Sequence, residues 1–373
     1  MCGSGEPPNR RRPNNVLIRM GGTIDGSTYY HRRFTMTARQ ITALLMKAIP
    51  AHKRVLITGQ PGIGKTHIVN QVAGALGADV MVDYLSTADP TDAKGMPFLN
   101  KEGTEAHFMP FGNLKRLIDA QKLTIALWDD IGQAVQGVQA AYMNLLDSRR
   151  VNGYKISNHV VFCGATNRTT DKAAVHSIIE PLKGRYHTIV NLDFSLEDWT
   201  AWALSHGVPT EFIAFARFRP EILASWKPTA GMENGCTPRN FVSCSEMYSL
   251  GLDAETEYET YKGSIGEGAA TELIGFLRIF RSLPNPDSVL LNPTTAIVPD
   301  ITKPDGPATL YALTGALARK ASVQTADRLL QYAGRLPAEF SVLLTRDSVK
   351  LCPDICSTRA FITWASDHSD VLL

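Results

Sequence analysis

Residues 59–66 read Gly-Gln-Pro-Gly-Ile-Gly-Lys-Thr, and no other stretch constrains the possible fold as strongly. They fit the phosphate-binding loop pattern G-x-x-x-x-G-K-[ST]. The apolar run 55–58 precedes the loop and predicts a buried strand, and the stretch 68–76 after it is typical of a helix. Glycines allow backbone N–H groups to turn inward around phosphate oxygens, and the start of the helix adds its positive dipole end. A chance match to a glycine-rich turn would not have this strand-loop-helix context.

The loop therefore predicts a site for ATP and Mg²⁺. Lys65 can reach the β- and γ-phosphates, and the hydroxyl of Thr66 can hold the metal ion. The phosphate-binding candidates are Gly59, Gln60, Pro61, Gly62, Ile63, Gly64, Lys65 and Thr66.

A second acidic motif ends the predicted strand 123–129. Asp129 is the candidate that holds Mg²⁺, and Asp130 is the candidate that orients or deprotonates the attacking water. Without the phosphate loop, two surface carboxylates at a strand end would be the simpler interpretation. With the loop, the functional interpretation is favoured.

Composition narrows the class of protein. The 373 residues are 44% hydrophobic and 20% charged, which is typical of a globular protein with two or three domains. The formal net charge of +2 gives no global electrostatic case for binding nucleic acid or anionic lipid. We find no membrane-length apolar run and no secretory signal, and six scattered cysteines favour free thiols, so we expect a cytoplasmic protein.

The order of apolar runs predicts an α/β core followed by helices. Predicted strands at 53–58, 80–82, 123–129, 159–165 and 187–192 alternate with helices, including one over 136–150, so a parallel sheet covered on both faces is expected. After residue 193 the pattern is helical. Residues 1–35 are rich in Gly, Pro and Arg and predict a flexible arm, and residues 88–112 predict an irregular insert.

Three further polar residues follow the strands or begin a helix. Asn167 ends the fourth strand, where an amide would lie beside the γ-phosphate. Arg185 comes just before the fifth strand, and Arg239 follows Pro238 at a predicted helix start. Any one of them alone is more often a surface or turn residue, but their order after a phosphate loop favours a role in the site.

These motifs occur in the order found in AAA+ ATPases, and the chain resembles the MoxR-like, dynein-related branch of that family. The resemblance covers about residues 37–250 and is carried by 59–66, 127–130, 164–167, 184–186 and 237–239, with support from 89–97, 138–141 and 145–150. It implies a P-loop NTPase core with a five-stranded parallel sheet flanked by helices over 36–194, a helical lid over 195–258 and a helical C-terminal extension over 259–373.

The resemblance also implies roles for single residues. Asn167 matches the sensor-1 residue, Arg185 the arginine finger and Arg239 the sensor-2 arginine, with Arg168 as a competitor for the finger. Such proteins assemble as rings, usually homo-hexamers, in which the finger acts on the neighbouring subunit's nucleotide. Most relatives carry Asp-Glu where this chain has Asp129-Asp130, and the shorter acid predicts slow hydrolysis or use of ATP as a switch.

The resemblance implies a chaperone-like remodelling ATPase that acts on a protein partner, for which we expect a von Willebrand A-type protein. Apolar residues of the insert would line a ring pore, grip a client or pack against the ring body: Met96, Phe98, Phe108, Met109 and Phe111. Two alternatives stay open at this point. One is a DNA-directed motor or restriction-type NTPase, and the other is a nucleotide-gated ring component with weak hydrolysis.

Overall fold

The computed structural model describes residues 35–168, 177–224, 232 and 234–367. The predicted arm lies outside the described residues except for Thr35 and stays a prediction. The described residues from Met36 onward form one compact unit. The boundaries predicted for core, lid and extension also stay predictions.

A five-stranded parallel sheet forms the centre of the α/β part, as predicted. The strands are β1 Val55–Gly59, β2 Asp79–Tyr84, β3 Met96–Leu99, β4 Ala106–Met109, β5 Thr124–Asp129, β6 Arg150–Val151, β7 Tyr154–Lys155, β8 Val160–Thr166 and β9 Thr188–Leu192. Five of them form the main sheet in the order β2-β5-β8-β1-β9, and every pairing in it is parallel. The carboxyl ends of β1, β5 and β8 therefore meet at one edge, and the phosphate loop leaves β1 at that edge.

Helices cover the sheet, and after β9 they are the main regular elements of the described chain. Those in the first part are α1 Ala38–Ala48, α2 Lys65–Leu76, α3 Pro90–Lys94, α4 Gly112–Asp119, α5 Gln136–Asp147 and α6 Glu180–Lys183. After β9 come α7 Leu196–Ser205, α8 Thr210–Phe218, α9 Pro220–Ala224, α10 Pro238–Tyr248, α11 Ala254–Ile265, α12 Glu267–Arg281, α13 Pro286–Leu291, α14 Gly306–Ala318, α15 Ala326–Ala333, α16 Ala338–Leu351 and α17 Arg359–Asp367. None of the helices described combines the length and apolar composition that crossing a membrane would require.

Successive side chains along the strands lie on opposite faces of the sheet and pack into two separate apolar clusters. In β5, Trp128 packs into one cluster with Tyr142 and Phe162, whereas Leu127 packs into the other with Ile41 and neighbouring residues of α2. Because successive strand residues point to opposite faces, a strand buried on both faces must be apolar throughout. This explains why continuous apolar runs predicted the sheet correctly.

The helical part has two further apolar clusters, joined by a buried ion pair. Phe212 lies in one of these clusters, and Phe340 lies in the other. Arg217 of α8 and Asp347 of α16 form a bidentate pair in which Nη2 donates to Oδ1 at 2.8 Å. Both side chains are buried, so this pair fixes α8 against α16.

Two short hairpins differ from the prediction. The insert is not irregular, because β3 and β4 form an antiparallel hairpin with Met96 opposite Met109 and Phe98 opposite His107. Its apolar side chains are exposed, and their role in lining a pore, gripping a client or packing against the ring body stays a prediction.

The second hairpin follows a helix that is shorter than predicted. Helix α5 ends at Asp147 rather than at residue 150, and Arg149 then adopts a positive φ of 50°. The turn between β6 and β7 is Asn152-Gly153, with φ of 44° and 86°. Asn-Gly is the usual pair for such a turn, because both residues tolerate positive φ.

Candidate functional site

The phosphate loop lies between β1 and α2 with its glycines in left-handed conformations. The φ of Gly62 is 69° and that of Gly64 is 102°. Helix α2 begins directly at Lys65, and Gly64 provides no side-chain cap for the first N–H groups. The start of α2 therefore offers backbone donors and the positive end of the helix dipole, which together suit a phosphate group.

The ammonium group of Lys65 is buried at the mouth of this loop. Its Nζ donates to the carbonyl oxygens of Gly59 at 2.9 Å and Gln60 at 3.1 Å. It also donates to Oδ1 of Asn167 at 2.7 Å. The structure therefore brings the predicted lysine of the loop next to the amide predicted from the end of β8.

Thr66 and Asp129 form a second contact between neighbouring strands. The hydroxyl of Thr66 donates to Oδ2 of Asp129 at 2.5 Å, and the other carboxylate oxygen accepts the N–H of Asp130 at 2.9 Å. Asp129 is only 6% exposed. A hydroxyl and a carboxylate are hard oxygen ligands, so this pair fits Mg²⁺.

Within the described ranges, no group of three or more His, Cys, Asp or Glu side chains could hold a metal ion without other ligands. Mg²⁺ usually combines one or two protein oxygens with water and substrate phosphates. The pair Thr66 and Asp129 fits that kind of site better than an all-protein metal centre.

Asp130 occupies a special backbone position beside these groups. Its φ of 55° and ψ of 34° place it in the left-handed region, which is uncommon for a residue with a side chain. Burial, and then the charge of Asp129, raise the pKa of its carboxyl, while Lys65 and Arg239 act in the opposite direction. The carboxylate thus lies within electrostatic reach of both cations.

The start of α10 contacts the phosphate loop directly. The N–H of Arg239 donates to the carbonyl of Gly62 at 3.1 Å. Thr237 caps the helix by accepting the N–H of Asn240 at 3.1 Å, and Gln60 donates to the carbonyl of Leu223 at 3.4 Å. The sequence placed Arg239 at a helix start, but the backbone bond to the loop depends on tertiary packing.

Alanine at the two left-handed glycines should separate steric contact from backbone strain. A Cβ on Gly62 would meet Oγ1 of Thr237 at 2.6 Å, whereas a Cβ on Gly64 would have nothing within 4 Å. We expect Gly64→Ala to lower the free energy of unfolding by about 1–2 kcal/mol, which is the cost of left-handed backbone. Gly62→Ala should lower it by a further ~1–3 kcal/mol because of the clash. Urea titration of both variants gives the comparison, and equal losses would contradict the contact between loop and α10.

Arg185 is not part of this cluster. Its Nη1 donates to the carbonyl of Pro181 at 2.6 Å, and its Nη2 lies 3.2 Å from Oδ2 of Asp147. The competitor Arg168 lies 4.0 Å from Asp193, and its side chain is 17% exposed. The structure therefore brings together Lys65, Thr66, Asp129, Asp130, Asn167 and Arg239, but holds Arg185 at the end of α5.

Two contacts around the site were not predicted from the sequence. Thr166, the last residue of β8, accepts the N–H of Gly132 at 3.1 Å and so fixes the turn after Asp130. Trp202 of α7 donates to Nε2 of His67 at 3.0 Å, next to Thr66 in the chain. A Thr before Asn167 and a His after Thr66 were visible in the sequence, but nothing there indicated their partners.

Comparison with known proteins gives a family match for the core. Residues 55–194 match the family model described as "ATPase family associated with various cellular activities (AAA)". No curated protein matches the sequence.

Among solved structures, a mutant of RuvB from Thermotoga maritima is 15% identical, with a TM-score of 0.40, and the alignment covers 76% of this chain and 83% of that one. The Thermotoga maritima RuvB Holliday junction branch migration motor is 16% identical, with a TM-score of 0.37, and coverage is 75% of this chain and 80% of that one. These scores are too low to carry a conclusion about activity. The sheet order and the phosphate loop show the P-loop NTPase fold, and residues 55–194 of the chain are similar to the AAA family.

Proposed function

We propose that the chain binds and hydrolyses ATP with Mg²⁺ and uses this cycle to remodel a protein partner. The observation that carries the proposal is the convergence of two contacts at one sheet edge. Lys65 bonds to Asn167 at 2.7 Å, and Thr66 bonds to Asp129 at 2.5 Å, so groups from β1, β5 and β8 meet beside the glycine loop.

We assign a separate role to each group of residues at this edge of the sheet. Backbone N–H groups of the loop and the ammonium of Lys65 bind and orient the β- and γ-phosphates. Thr66 and Asp129 would hold Mg²⁺, which supplies positive charge against the phosphate oxygens. Asp130 accepts a proton from the attacking water or orients it, and Asn167 holds that water or a γ-phosphate oxygen in place.

The lid would couple nucleotide binding to movement. Arg239 lies near Asp130 and is joined through its own N–H to the loop carbonyl of Gly62. A triphosphate that draws Arg239 inward would therefore pull the start of α10 with it. We include Arg239 in the site as the residue that would transmit binding of the γ-phosphate to the helical part.

Arg185 is proposed to act on the nucleotide of a neighbouring subunit in a homo-hexameric ring. Within the described residues its contacts are to Pro181 and Asp147, and its Nε is buried with no hydrogen-bond partner. The side chain is 24% exposed, so its tip can reach a surface. An arginine supplied in trans makes hydrolysis dependent on assembly.

The insert hairpin, defined as residues 96–109, has features that support the proposal of a protein partner. It exposes Met96 at 44%, Phe98 at 55% and Leu99 at 70% of their surfaces. Contiguous exposed apolar side chains usually mark a contact surface for another protein. We propose that the hairpin contacts the client, and that a von Willebrand A-type protein is the adaptor, as the MoxR-like resemblance implies.

A nucleotide-gated ring with weak hydrolysis is the second candidate, and Asp130 is the observation that favours it. Its carboxylate is one methylene shorter than the glutamate of most relatives, which places the acid farther from the water. The DNA-directed alternative is weaker, because Lys115, one of the few basic residues that could support it, is paired with Asp119.

Phosphate release with and without Mg²⁺ tests the activity. We expect phosphate release to require Mg²⁺. We also expect the turnover rate per subunit to rise with protein concentration, because assembly completes the site. Absence of nucleotide binding in calorimetry with ATP and with ADP would refute the proposal as a whole.

Variants of Asp130 distinguish the two candidates. Asp130→Asn should keep ATP affinity and lower turnover by about 10²–10⁴-fold, the usual range for loss of a general base. Asp130→Glu should raise turnover if the shorter acid limits hydrolysis. A sharp fall in Asp130→Glu would instead show a pocket built around aspartate.

Affinity capture with the Asp130→Asn protein and ATP then tests the partner. Retention of a von Willebrand A-type protein supports the remodelling proposal. Retention of DNA would favour the motor alternative, and the Lys65→Ala protein is the matched control because it should not bind ATP.

A further inference from the structure

A cavity of about 390 Å³ lies at the edge of the sheet opposite the phosphate loop. Arg54 precedes β1, and Asn158 precedes β8, so the cavity opens at the amino ends of these parallel strands. It is lined by His52, Arg54, Arg149, Asn158, Val161 and Phe162. Its volume falls in the range of sites for small ligands.

Two arginines on the cavity wall are held in place by backbone carbonyls. Arg54 donates through Nη1 to the carbonyl of Leu146 at 2.5 Å. Arg149 donates through Nη2 to the carbonyls of Ser157 at 2.6 Å and Val160 at 3.1 Å. Its guanidinium also lies 5.7 Å from the ring centre of Phe162. These contacts fix both cations in one geometry, so a ligand would meet a preorganised wall.

The positive charge of this wall is not neutralised by the described part of the chain. Neither arginine forms an ion pair there with a carboxylate, and the Nε of Arg54 is buried without a hydrogen-bond partner. Burial, and then the charge of Arg54, lower the pKa of Arg149, which indicates that the two like charges lie close together. Two half-buried guanidinium groups that form no ion pair within the described ranges favour an anion as the ligand of this wall.

We propose that this cavity binds a phosphoryl group, either as inorganic phosphate or as part of a small phosphomonoester. A phosphate carries a charge of about −1.5 to −2 at neutral pH, which matches two guanidinium groups, whereas a carboxylate carries one charge. Planar guanidinium donors fit phosphate oxygens well, and the side chain of Asn158 can add a neutral donor. The site is separate from the phosphate loop, because it lies at the opposite ends of the strands.

Calorimetry with the loop already occupied tests the proposal. The protein is first saturated with ADP and Mg²⁺, and inorganic phosphate or glycerol 3-phosphate is then titrated at constant ionic strength set with chloride. We expect saturable binding of one equivalent by at least one of the two. Tighter binding of glycerol 3-phosphate assigns an organic phosphate, and tighter binding of inorganic phosphate assigns the free ion. Heat that does not saturate for either probe overturns the proposal.

Substitutions of the cavity arginines test whether phosphate binds at this cavity. Arg149→Gln and Arg54→Gln should each weaken binding by about tenfold or more, since each removes a charge-assisted hydrogen bond. Arg150→Gln is the matched control, because it removes an exposed arginine that does not line the cavity. Equal affinity in the control and in the cavity variants would overturn the assignment.

A third variant keeps the test decisive if the arginine variants misfold. Asn158 is exposed and lines the cavity, so Asn158→Asp should fold and place a carboxylate against the two guanidiniums. It should abolish phosphate binding while ADP binding is unchanged. Retained phosphate affinity in Asn158→Asp would overturn the proposal even if the arginine variants fail to fold.

Discussion

Lys65→Ala should abolish nucleotide binding while leaving the fold intact. The ammonium group is buried at the loop and bonds to the carbonyls of Gly59 and Gln60 and to Asn167. It is the one side-chain cation that the loop motif itself supplies to the phosphates. Loss of two charge-assisted hydrogen bonds to phosphate, at about 1.5–3 kcal/mol each, predicts a rise in Kd of at least about 100-fold.

Calorimetry with ATP and with ADP, both with Mg²⁺, measures this change. Lys101→Ala is the matched control, because that lysine is exposed in the turn of the insert hairpin and should leave Kd unchanged. Circular dichroism checks the fold of both variants. Wild-type affinity in Lys65→Ala would refute the assignment of the loop.

Arg185→Ala should leave ATP affinity intact and lower turnover by about 10³-fold or more, as expected for an arginine finger. The physical reason is that the guanidinium of Arg185 would stabilise the negative charge that develops on the neighbouring subunit's phosphate oxygens in the transition state, more than it stabilises bound ATP. If turnover stays normal while Arg168→Ala stops it, Arg168 is the finger.

Mixed assemblies decide whether Arg185 acts in trans. The Lys65→Ala subunit cannot bind ATP but still carries Arg185, and the Arg185→Ala subunit has an intact loop. In a mixture of the two, Arg185 of one subunit can serve the loop of the other. Turnover should therefore recover in the mixture, although neither variant is active alone. Lack of recovery, with assembly verified by light scattering, would argue for action within one subunit.

Asp147 gives an internal check on the same residue. It pairs with Arg185 at 3.2 Å, so Asp147→Ala frees the arginine without removing it. We expect a much smaller loss of turnover than in Arg185→Ala. An equal loss would mean that the position of Arg185, fixed by Asp147, matters as much as its charge.

The core of the fold could be predicted from the sequence because its signals are local. The inner strands β5 and β8 are nearly continuous apolar runs, and their burial on both faces demands such runs. The helix over 136–150 was predicted too long, because Arg149 leaves the helix to bond to Ser157 and Val160. The insert hairpin was missed, because its four-residue strands carry no alternation between buried and exposed faces.

The candidate site was predictable in part for the same reason. Parallel strands bring their carboxyl ends to one edge, so Lys65, Asp129 and Asn167 could be expected to meet once the strands were recognised. The bond from Arg239 to Gly62 could not be read from the sequence, because the 176 residues between them must first fold.

By itself, the sequence determined the α/β core, the phosphate loop and the residue types at the strand ends, because apolar runs and glycine patterns act over a few residues. Only the tertiary structure decided which distant groups became neighbours. It placed α10 on the loop, held Arg185 at Asp147 and set Arg54 beside Arg149 around one cavity. Those contacts depend on how helices and strands pack, and side-chain packing is a property of the whole folded chain rather than of any segment.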